Sequence, residues 1–220
     1  MKINHHPAKA LLAAHVTGQL PTATSAALAV HIDNCPQCQR ICQAVEAQAS
    51  QAQFSDSMAV DEGLLDTLLA QLNDEVPPVA IREAAPITVS VNGDTFVLPK
   101  ALAGLSGQIG NWRRLGSKVW TADVDLGEKD VKASFLYADK QTRIPRHTHG
   151  GEEITLVLAG KLNDERGQYG QGDFMLMTPD DEHQPFTQEQ SCLCFTVLSA
   201  PLVLTGPLGR MANPLLRLFF

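Results

Sequence analysis

The spacing of hydrophobic residues changes partway along the chain, and the change predicts two structural regions. Up to about residue 73, apolar positions recur every three or four residues, which is the period of an amphipathic helix. From residue 87 onward they form short runs rich in β-branched and aromatic residues, separated by Gly, Asn and Asp. The pattern therefore predicts helices followed by a sheet.

Four helices are predicted in the first region. They cover about residues 8–17, 22–33, 36–53 and 60–73. Gly18 is a favourable residue just past the first helix, and Pro36 suits the first turn of the third. The fourth helix is amphipathic and its apolar face needs a partner. We predict that this face binds another protein through Leu64, Leu65, Leu68, Leu69 and Leu72.

Seven strands are predicted in the second region, which is typical of a β-barrel or sandwich. They cover about residues 87–91, 95–99, 118–124, 131–138, 153–160, 172–179 and 192–200. The turn Asn92-Gly93-Asp94 favours a hairpin between the first two. Prolines at 77, 78 and 86 indicate an extended linker. We thus expect a multidomain α + all-β protein, with a four-helix domain at 1–76, a Pro-rich linker at 77–86 and an all-β domain at 87–220.

Size and charge narrow the classes of function. Of 220 residues, 44% are hydrophobic, which is enough to bury the cores of two domains. Residues 1–76 carry 3 Lys+Arg and 8 Asp+Glu, a net charge of −5, whereas residues 77–220 carry 14 and 16, a net charge of −2. No basic stripe is present, so direct nucleic-acid binding is disfavoured. The acidic helical region suits either a basic protein partner or simple solubility.

Cysteine usage indicates the compartment. The chain has five cysteines, an odd number, with a C-x2-C pair near a histidine and no secretory signal pattern. These features favour metal ligation in a reducing compartment over disulfides, so we expect a cytoplasmic protein. No apolar run reaches the roughly 20 residues of a membrane helix, and we expect no membrane partner.

The helical region holds a potential zinc site. His31, Cys35 and Cys38 have H-x3-C-x2-C spacing across the predicted junction of the second and third helices. Structural zinc takes four Cys or His ligands, so one more is needed. The remaining candidates in this region are His5, His6, His15 and, less favoured, Cys42. The alternative is that the spacing arose without metal binding.

The β region holds a second potential metal site. The segment RIPRHTHGGEEITLVLAG at 143–160 carries His147, His149 and Glu153 in H-x-H-x3-E spacing, followed by Gly160. Alternate strand residues face the same way, so the two histidines can converge on one metal. Together with His183, this spacing resembles the cupin family, and the resemblance implies a barrel enclosing one metal site. The donors suit zinc, iron(II), manganese, nickel or copper.

The second cupin motif departs from the usual form. Asp181 stands where glycine is common, and Pro179 lies four residues before His183 instead of five. The alternative is that these histidines and Glu153 are ordinary loop and strand-end residues. Cys192 and Cys194 should face the same side of one strand, where we expect small core residues, although a redox pair is an alternative.

At both clusters the sequence resembles a family of regulators. The helical pattern looks like the zinc-binding anti-sigma domain, and HHPAKALLAAHVTGQLP is similar to the start of the ChrR group of anti-sigma factors. The resemblance implies zinc held by His6, His31, Cys35 and Cys38. It implies a 1:1 complex with an extracytoplasmic-function sigma factor. It also implies release of that partner on oxidative stress, notably singlet oxygen, through the cupin domain.

Two other functions remain open at this stage. A cupin domain with iron(II) could be a dioxygenase or isomerase that carries a helical appendage. Against this, no Arg or Lys is clearly placed inside the expected barrel and no acid–base pair stands beside the metal motif, so we expect no enzyme activity. The third possibility is a zinc-storage or scaffold protein.

Overall fold

The helical spacing at the start of the chain forms α-helices, as predicted. The computed structural model describes residues 2–53, 62–72, 85–206 and 213. The four helices are α1 (Lys9–Val16), α2 (Thr22–Asn34), α3 (Pro36–Gln53) and α4 (Glu62–Leu72). The expected linker at 77–86 lies outside the described residues except for positions 85 and 86, so its extended form stays a prediction.

Local sequence sets the ends of these helices. Gly18 adopts a positive φ of 68° after α1, which a side chain would disfavour. Its N–H donates to the carbonyl of His15, and the next N–H donates to Ala14. At the α2–α3 junction, Cys35 is extended and Pro36 opens α3. The chain therefore turns sharply at the predicted zinc motif.

The alternating pattern after residue 87 forms eleven strands in the described part of the chain. They are β1 (Thr88–Val91), β2 (Asp94–Val97), β3 (Arg113–Arg114), β4 (Val119–Val124), β5 (Lys132–Ala138), β6 (His147–His149), β7 (Glu153–Asn163), β8 (Gln168–Gly170), β9 (Phe174–Met177), β10 (Cys192–Leu198) and β11 (Leu202–Leu204). A short helix, α5 (Lys100–Ala103), and a 3₁₀ turn at Ser106–Gln108 lie between β2 and β3. All seven predicted strands are present, whereas β3, β6, β8 and β11 were missed because they have only two or three residues.

The strands pair in the order β3-β4-β5-β10-β7-β8, with β9 also paired to β7. Strand β11 pairs with β6, and β1 with β2 in the predicted hairpin. Asn92 and Gly93 both have positive φ, 51° and 89°, as its tight turn requires. Gly160 is also required, because a Cβ there would lie 1.8 Å from the carbonyl oxygen of Ser191.

Both faces of the main sheet are buried, but by different partners. On one face Phe135 and Phe195 belong to the same core as Leu12 and Leu28 from α1 and α2. Helix α2 packs against β7 and β10. One core thus extends through the helices and the sheet, although the sequence predicted two regions joined by a linker.

The strands β1 to β11 form the part of the chain that we call the cupin-like unit. The opposite face of the main sheet lines the interior of this unit. Pairing places Lys132, Leu198 and Glu153 in one row across β5, β10 and β7. Residues that pair directly project from the same face of a sheet. Lys132 therefore lies on the inward face, although the sequence did not clearly place a lysine there. Lys132 lies three residues before Phe135, which faces the helices, so the alternation of the strand turns the lysine to the opposite face.

Candidate metal centres

The structure brings the four predicted ligands of the helical region together. His6 lies in the extended segment before α1, and His31 lies in the last turn of α2. Cys35 and Cys38 lie at the junction with α3. One donor atom from each of the four lies within 4.8 Å of the others. His31, Cys35 and Cys38 are buried and His6 is partly buried, so most of the cluster is shielded from solvent.

Hydrogen bonding prepares His31 to donate a lone pair. Its Nδ1 lies 2.7 Å from the carbonyl oxygen of Gly172, which can only accept, so Nδ1 carries the proton. Burial lowers the pKa of His31, which favours the neutral ring. The unprotonated Nε2 then faces the Cys38 Sγ at 3.3 Å. This orientation is the one that a metal ligand needs.

The donor set fits zinc. The Nδ1 atom of His6 is 3.3 Å from the Cys35 Sγ and 3.7 Å from the Cys38 Sγ. Burial and the neighbouring Cys35 raise the pKa of Cys38 to about 12, so in the absence of a cation this thiol stays protonated. Two imidazoles and two sulfurs at one point match a closed tetrahedral zinc site.

The other candidate residues lie outside the cluster. The His5 ring contacts Tyr169, with centroids 4.5 Å apart, and its Nδ1 lies 3.3 Å from the Asp173 Oδ2. His15 lies on α1, and burial lowers its pKa. Cys42 is buried one turn beyond Cys38. Among the alternatives left open by spacing, the structure places His6 beside the cysteines.

The cupin-like unit supports this cluster directly. The buried Asp173 accepts hydrogen bonds from the backbone N–H groups of Asn4 at 2.7 Å and His5 at 2.9 Å. The N–H of Phe174 donates back to the carbonyl of His5. At the other end of α2, the Glu128 carboxylate accepts from the N–H groups of Thr22 and Ala23, which no side chain of the helix caps. The cupin-like unit therefore holds the helical region at two places, the segment before α1 and the N-terminal end of α2.

The second cluster lies inside the cupin-like unit. His147 and His149 alternate on β6, Glu153 begins β7, and His183 lies in the segment before β10. His147 and His183 exchange two backbone hydrogen bonds of 3.0 Å, which hold their side chains side by side. One donor atom from each of the four lies within 4.8 Å of the others, and all four residues are buried.

Two of these histidines point lone pairs at each other. Nδ1 of His147 donates to the carbonyl of Pro145 at 2.8 Å, and Nδ1 of His183 lies 3.2 Å from the Asp164 Oδ2. Burial lowers the pKa of His147, which favours its neutral form. The two Nε2 atoms are 3.1 Å apart, although neither carries a proton in these tautomers. A cation shared by both nitrogens would relieve that repulsion.

His149 and Glu153, the other two members of this cluster, face each other with atoms that have no hydrogen-bond partner. Nε2 of His149 lies 2.8 Å from the Glu153 Oε2, but the orientation is poor and neither atom has a hydrogen bond. Burial opposes both charges, yet mutual contact raises the pKa of His149 and lowers that of Glu153. The second Glu153 oxygen accepts from the Thr155 hydroxyl at 3.0 Å. Three imidazoles and this carboxylate fit a divalent transition metal.

The unusual second motif has a structural explanation. Asp181 stands where glycine is common, and its Oδ2 accepts from the backbone N–H of Thr178 at 2.7 Å and from the Thr178 hydroxyl at 2.9 Å. The backbone hydrogen bond is the main reason that the pKa of Asp181 falls to about 2. The side chain thus forms the turn that precedes His183.

Asp164 is a supporting residue that the sequence spacing did not reveal. It is buried and contacts His183 from 19 positions away. We expect Asp164→Asn to weaken metal binding at this cluster about 10-fold to 100-fold, because the carboxylate fixes the orientation of the His183 ring. Chelator competition with metal analysis measures the effect. Glu189→Gln, at an exposed position before β10, should leave the affinity unchanged, and equal affinities for the two variants would contradict this role.

The predicted pair on β10 is buried. Cys192 and Cys194 are each about 1% exposed, as expected of core residues, and their sulfurs lie 3.5 Å apart. The neighbouring thiol and burial raise the pKa of Cys194.

Helix α4 presents the predicted apolar surface. Its leucines are half exposed, with accessible fractions of 55%, 50%, 49% and 49% for Leu64, Leu65, Leu68 and Leu69. Leu72 ends the helix, and its side chain lies outside the described residues. Among the described helices, none is long and apolar enough to cross a membrane.

Comparison with known proteins finds similarity in both regions. A family model described as the ChrR cupin-like domain matches residues 108–201. The chain is 30% identical over 227 residues to the anti-sigma-E factor ChrR of Cereibacter sphaeroides, and the alignment covers 99% of this chain and 100% of that protein. The crystal structure of Rhodobacter sphaeroides SigE in complex with the anti-sigma ChrR matches with a TM-score of 0.65 and 29% identity, over 90% of this chain and 99% of that chain.

Proposed function

Because this chain belongs to the ChrR family of anti-sigma factors, we propose that it sequesters an extracytoplasmic-function sigma factor in a 1:1 complex. The full-length similarity carries this proposal, since it includes the helical region as well as the cupin-like unit. The similar crystal structure is of a complex between SigE and ChrR. The proposal therefore assigns the chain a regulatory role, and it places sigma-factor binding in the helical region.

The apolar surface of α4 supports a protein partner. Four neighbouring leucines are half exposed, and contiguous apolar patches of this kind mark interaction sites. The net charge of −5 over residues 1–76 favours a partner with a basic surface. We propose that the leucines supply contact area and the charge favours encounter.

The two clusters would then serve different purposes. We propose that His6, His31, Cys35 and Cys38 hold a structural zinc, which when bound stabilises the α2–α3 junction. We propose that His147, His149, Glu153 and His183 hold zinc or another divalent transition metal. That cluster contains no sulfur donor, so its ligand set suits several metals. It is the better candidate for responding to a signal.

We further propose that the chain releases its partner on oxidative stress of the singlet-oxygen kind, sensed in the cupin-like unit. The direct contacts between the two regions supply a route. Gly172 holds His31, Asp173 holds the segment before His6, and both residues immediately precede β9. Strand β9 pairs with β7, and Met177 of β9 is opposite Glu153. A rearrangement at the second cluster could therefore reach the first through one strand.

The primary test is co-expression of the chain with extracytoplasmic-function sigma factors, followed by purification and metal analysis. The proposal expects a 1:1 complex that carries two metal ions per copy of this chain. Exposure of the complex to singlet oxygen should then release the sigma factor. If no such sigma factor co-purifies, the anti-sigma function is wrong. If the complex forms but survives the oxidant, only the sensing step is wrong.

Substitutions on α4 test the binding surface. We expect Leu65→Gln with Leu68→Gln to weaken sigma-factor binding at least about 100-fold, because central apolar contacts often contribute about 2 kcal/mol or more each. Both side chains are half exposed, so the fold should be retained. Surface plasmon resonance measures the affinity, and Leu115→Gln, which changes a leucine that is 51% exposed elsewhere, is the matched control. Equal binding by both variants would place the interface on another surface.

A further inference from the structure

Tyr169 on β8 contacts neighbours of both metal clusters, the helical cluster around His6 and the second cluster around His183. Its side chain is buried, and its hydroxyl donates a hydrogen bond of 3.1 Å to the Asp164 Oδ1. Burial and the nearby Asp164 raise the pKa of Tyr169 to about 12, so the hydroxyl keeps its proton and remains a donor. The tyrosine ring contacts the ring of His5, with centroids 4.5 Å apart.

On the side of the second cluster, Asp164 connects Tyr169 with a proposed metal ligand. The other oxygen of this carboxylate, Oδ2, lies 3.2 Å from Nδ1 of His183. Oδ1 also accepts from the backbone N–H groups of Arg166 at 2.8 Å and Gly167 at 3.2 Å. One buried carboxylate thus orients His183 and holds the turn that leads into β8. When His183 is bound to a metal ion, its ring is fixed, and Asp164 is held in the orientation that the tyrosine requires.

On the side of the helical cluster, the turn between β8 and β9 follows Tyr169 directly. Three residues later, the carbonyl oxygen of Gly172 lies 2.7 Å from Nδ1 of His31. The next residue, Asp173, accepts two backbone hydrogen bonds from the segment before His6. The position of the tyrosine therefore affects the turn that holds two of the four ligands of the helical cluster.

Metal binding at either cluster restricts this same turn. The second cluster restricts it through Asp164 and Tyr169, and the helical cluster restricts it through residues 172 and 173. A restriction that binding at one cluster has already imposed costs no further conformational entropy at the other, so binding at one favours binding at the other. Such coupling is reciprocal, and it typically changes an affinity about 5-fold to 150-fold.

We propose that Tyr169 is the positioning residue that couples the two metal clusters. The hydroxyl acts through Asp164 on His183, and the ring acts through His5 and the following turn on the helical cluster. This inference rests on the two metal sites proposed above, but it does not depend on sigma-factor binding. Loss of metal from the second cluster would then loosen the region that is proposed to bind the partner.

Amide hydrogen exchange of the zinc-saturated, full-length chain tests the coupling. Peptides that cover residues 2–8 report on the segment before α1. His147→Ala with His149→Ala removes two ligands of the second cluster but leaves the His183–Asp164 contact in place. We expect this variant to lose one zinc ion and to exchange at least about fivefold faster over residues 2–8, while β10 keeps its protection.

Two tyrosine variants separate coupling from a general loss of stability. Tyr169→Phe keeps the ring and removes only the hydroxyl. In this background the two histidine substitutions should change the exchange of residues 2–8 less than about twofold, because the link to Asp164 is already broken. Tyr137→Phe is the matched control, since that tyrosine is also buried and donates to a carboxylate, that of Asp94, at 2.7 Å. The control should keep the fivefold effect.

The outcomes separate this proposal from the ones on which it rests. A fivefold effect that persists in Tyr169→Phe, or the absence of any effect in the unmodified chain, would overturn the coupling alone. A chain that binds fewer than two zinc ions would overturn the coupling together with the proposed metal sites. If the histidine variant does not fold, the tyrosine variants decide: exchange of residues 2–8 that is at least fivefold faster in Tyr169→Phe than in Tyr137→Phe supports the proposal, and equal rates overturn it.

Discussion

Replacing Cys35 and Cys38 together with serine should remove one metal ion per chain and unfold the α1–α3 region. Structural zinc contributes on the order of 10 kcal/mol to small zinc-dependent folds, which is comparable with the total stability of about 5–15 kcal/mol of an ordinary domain. The variant also leaves His6 and His31 facing each other without a cation. We expect loss of much of the helical circular dichroism and loss of sigma-factor binding.

Cys42→Ser is the matched control for this experiment. The residue is buried on α3 one turn beyond Cys38 but does not belong to the four-residue cluster. It should keep both metal ions and the helical signal, apart from a modest cost of burying a hydroxyl. A double variant that retains two metal ions and full helicity would show that the cluster is not a metal site.

Replacing Asp173 with alanine should weaken the attachment of the helical region to the sheet unit. The carboxylate is 2% exposed and accepts backbone hydrogen bonds from Asn4, His5 and Gly170. Hydrogen bonds to a charged group contribute about 1.5–3 kcal/mol each and are not additive, so we expect a loss of about 3–5 kcal/mol. Urea unfolding measures the free energy, and amide hydrogen exchange should show faster exchange in α2.

The same substitution should also weaken metal binding at the helical cluster, since Asp173 adjoins the carbonyl that orients His31. Chelator competition measures this second effect. Asp180→Ala changes an exposed aspartate after β9. It should alter neither the free energy of unfolding nor the metal affinity of the helical cluster. Unchanged exchange in α2 together with unchanged metal affinity in Asp173→Ala would mean that the two regions are not coupled through this contact.

The pH dependence of this contact has a definite sign. Burial alone would raise the pKa of Asp173, but hydrogen bonds from Gly170, His5 and Asn4 outweigh it and lower the pKa. The pKa of Asp173 is lower in the folded protein than in the unfolded chain. The ionised side chain therefore makes its full contribution to the free energy of unfolding above the ordinary aspartate pKa of about 3.9. This contribution is lost as the pH falls through the lower folded value. Asp173 should therefore hold the helices throughout the neutral range.

Much of the architecture was predictable because it depends on local periodicity. The period of the leucines in α4 and the alternation in β5 each follow from about ten neighbouring residues. The fold class, four helices followed by a cupin-like sheet, is confirmed by the structure and its similarity to the ChrR complex. Strands such as β6 were not predictable from periodicity, since three residues contain no measurable period.

The candidate ligands were predictable where spacing brings them together, and less so elsewhere. His147 and His149 alternate on one strand, so their convergence follows from strand geometry. The choice between His5 and His6 depends on Asp173, which binds the segment from 168 positions away. Asp164 likewise reaches His183 only through the folded sheet. No local pattern carries such information, so these supporting residues required the three-dimensional arrangement.

The core shared by the helices and the sheet has a consequence for dissecting the chain into fragments. Phe135 and Phe195 are almost completely covered, and they belong to the cluster that includes Leu12 and Leu28. A fragment that begins after the linker would leave part of this sheet face open to water, and such surfaces tend to self-associate. A fragment that ends before it would expose the matching face of α2. Truncation would therefore change solubility at the same time as function, so point substitutions such as Asp173→Ala separate the roles of the two regions more cleanly than deletion.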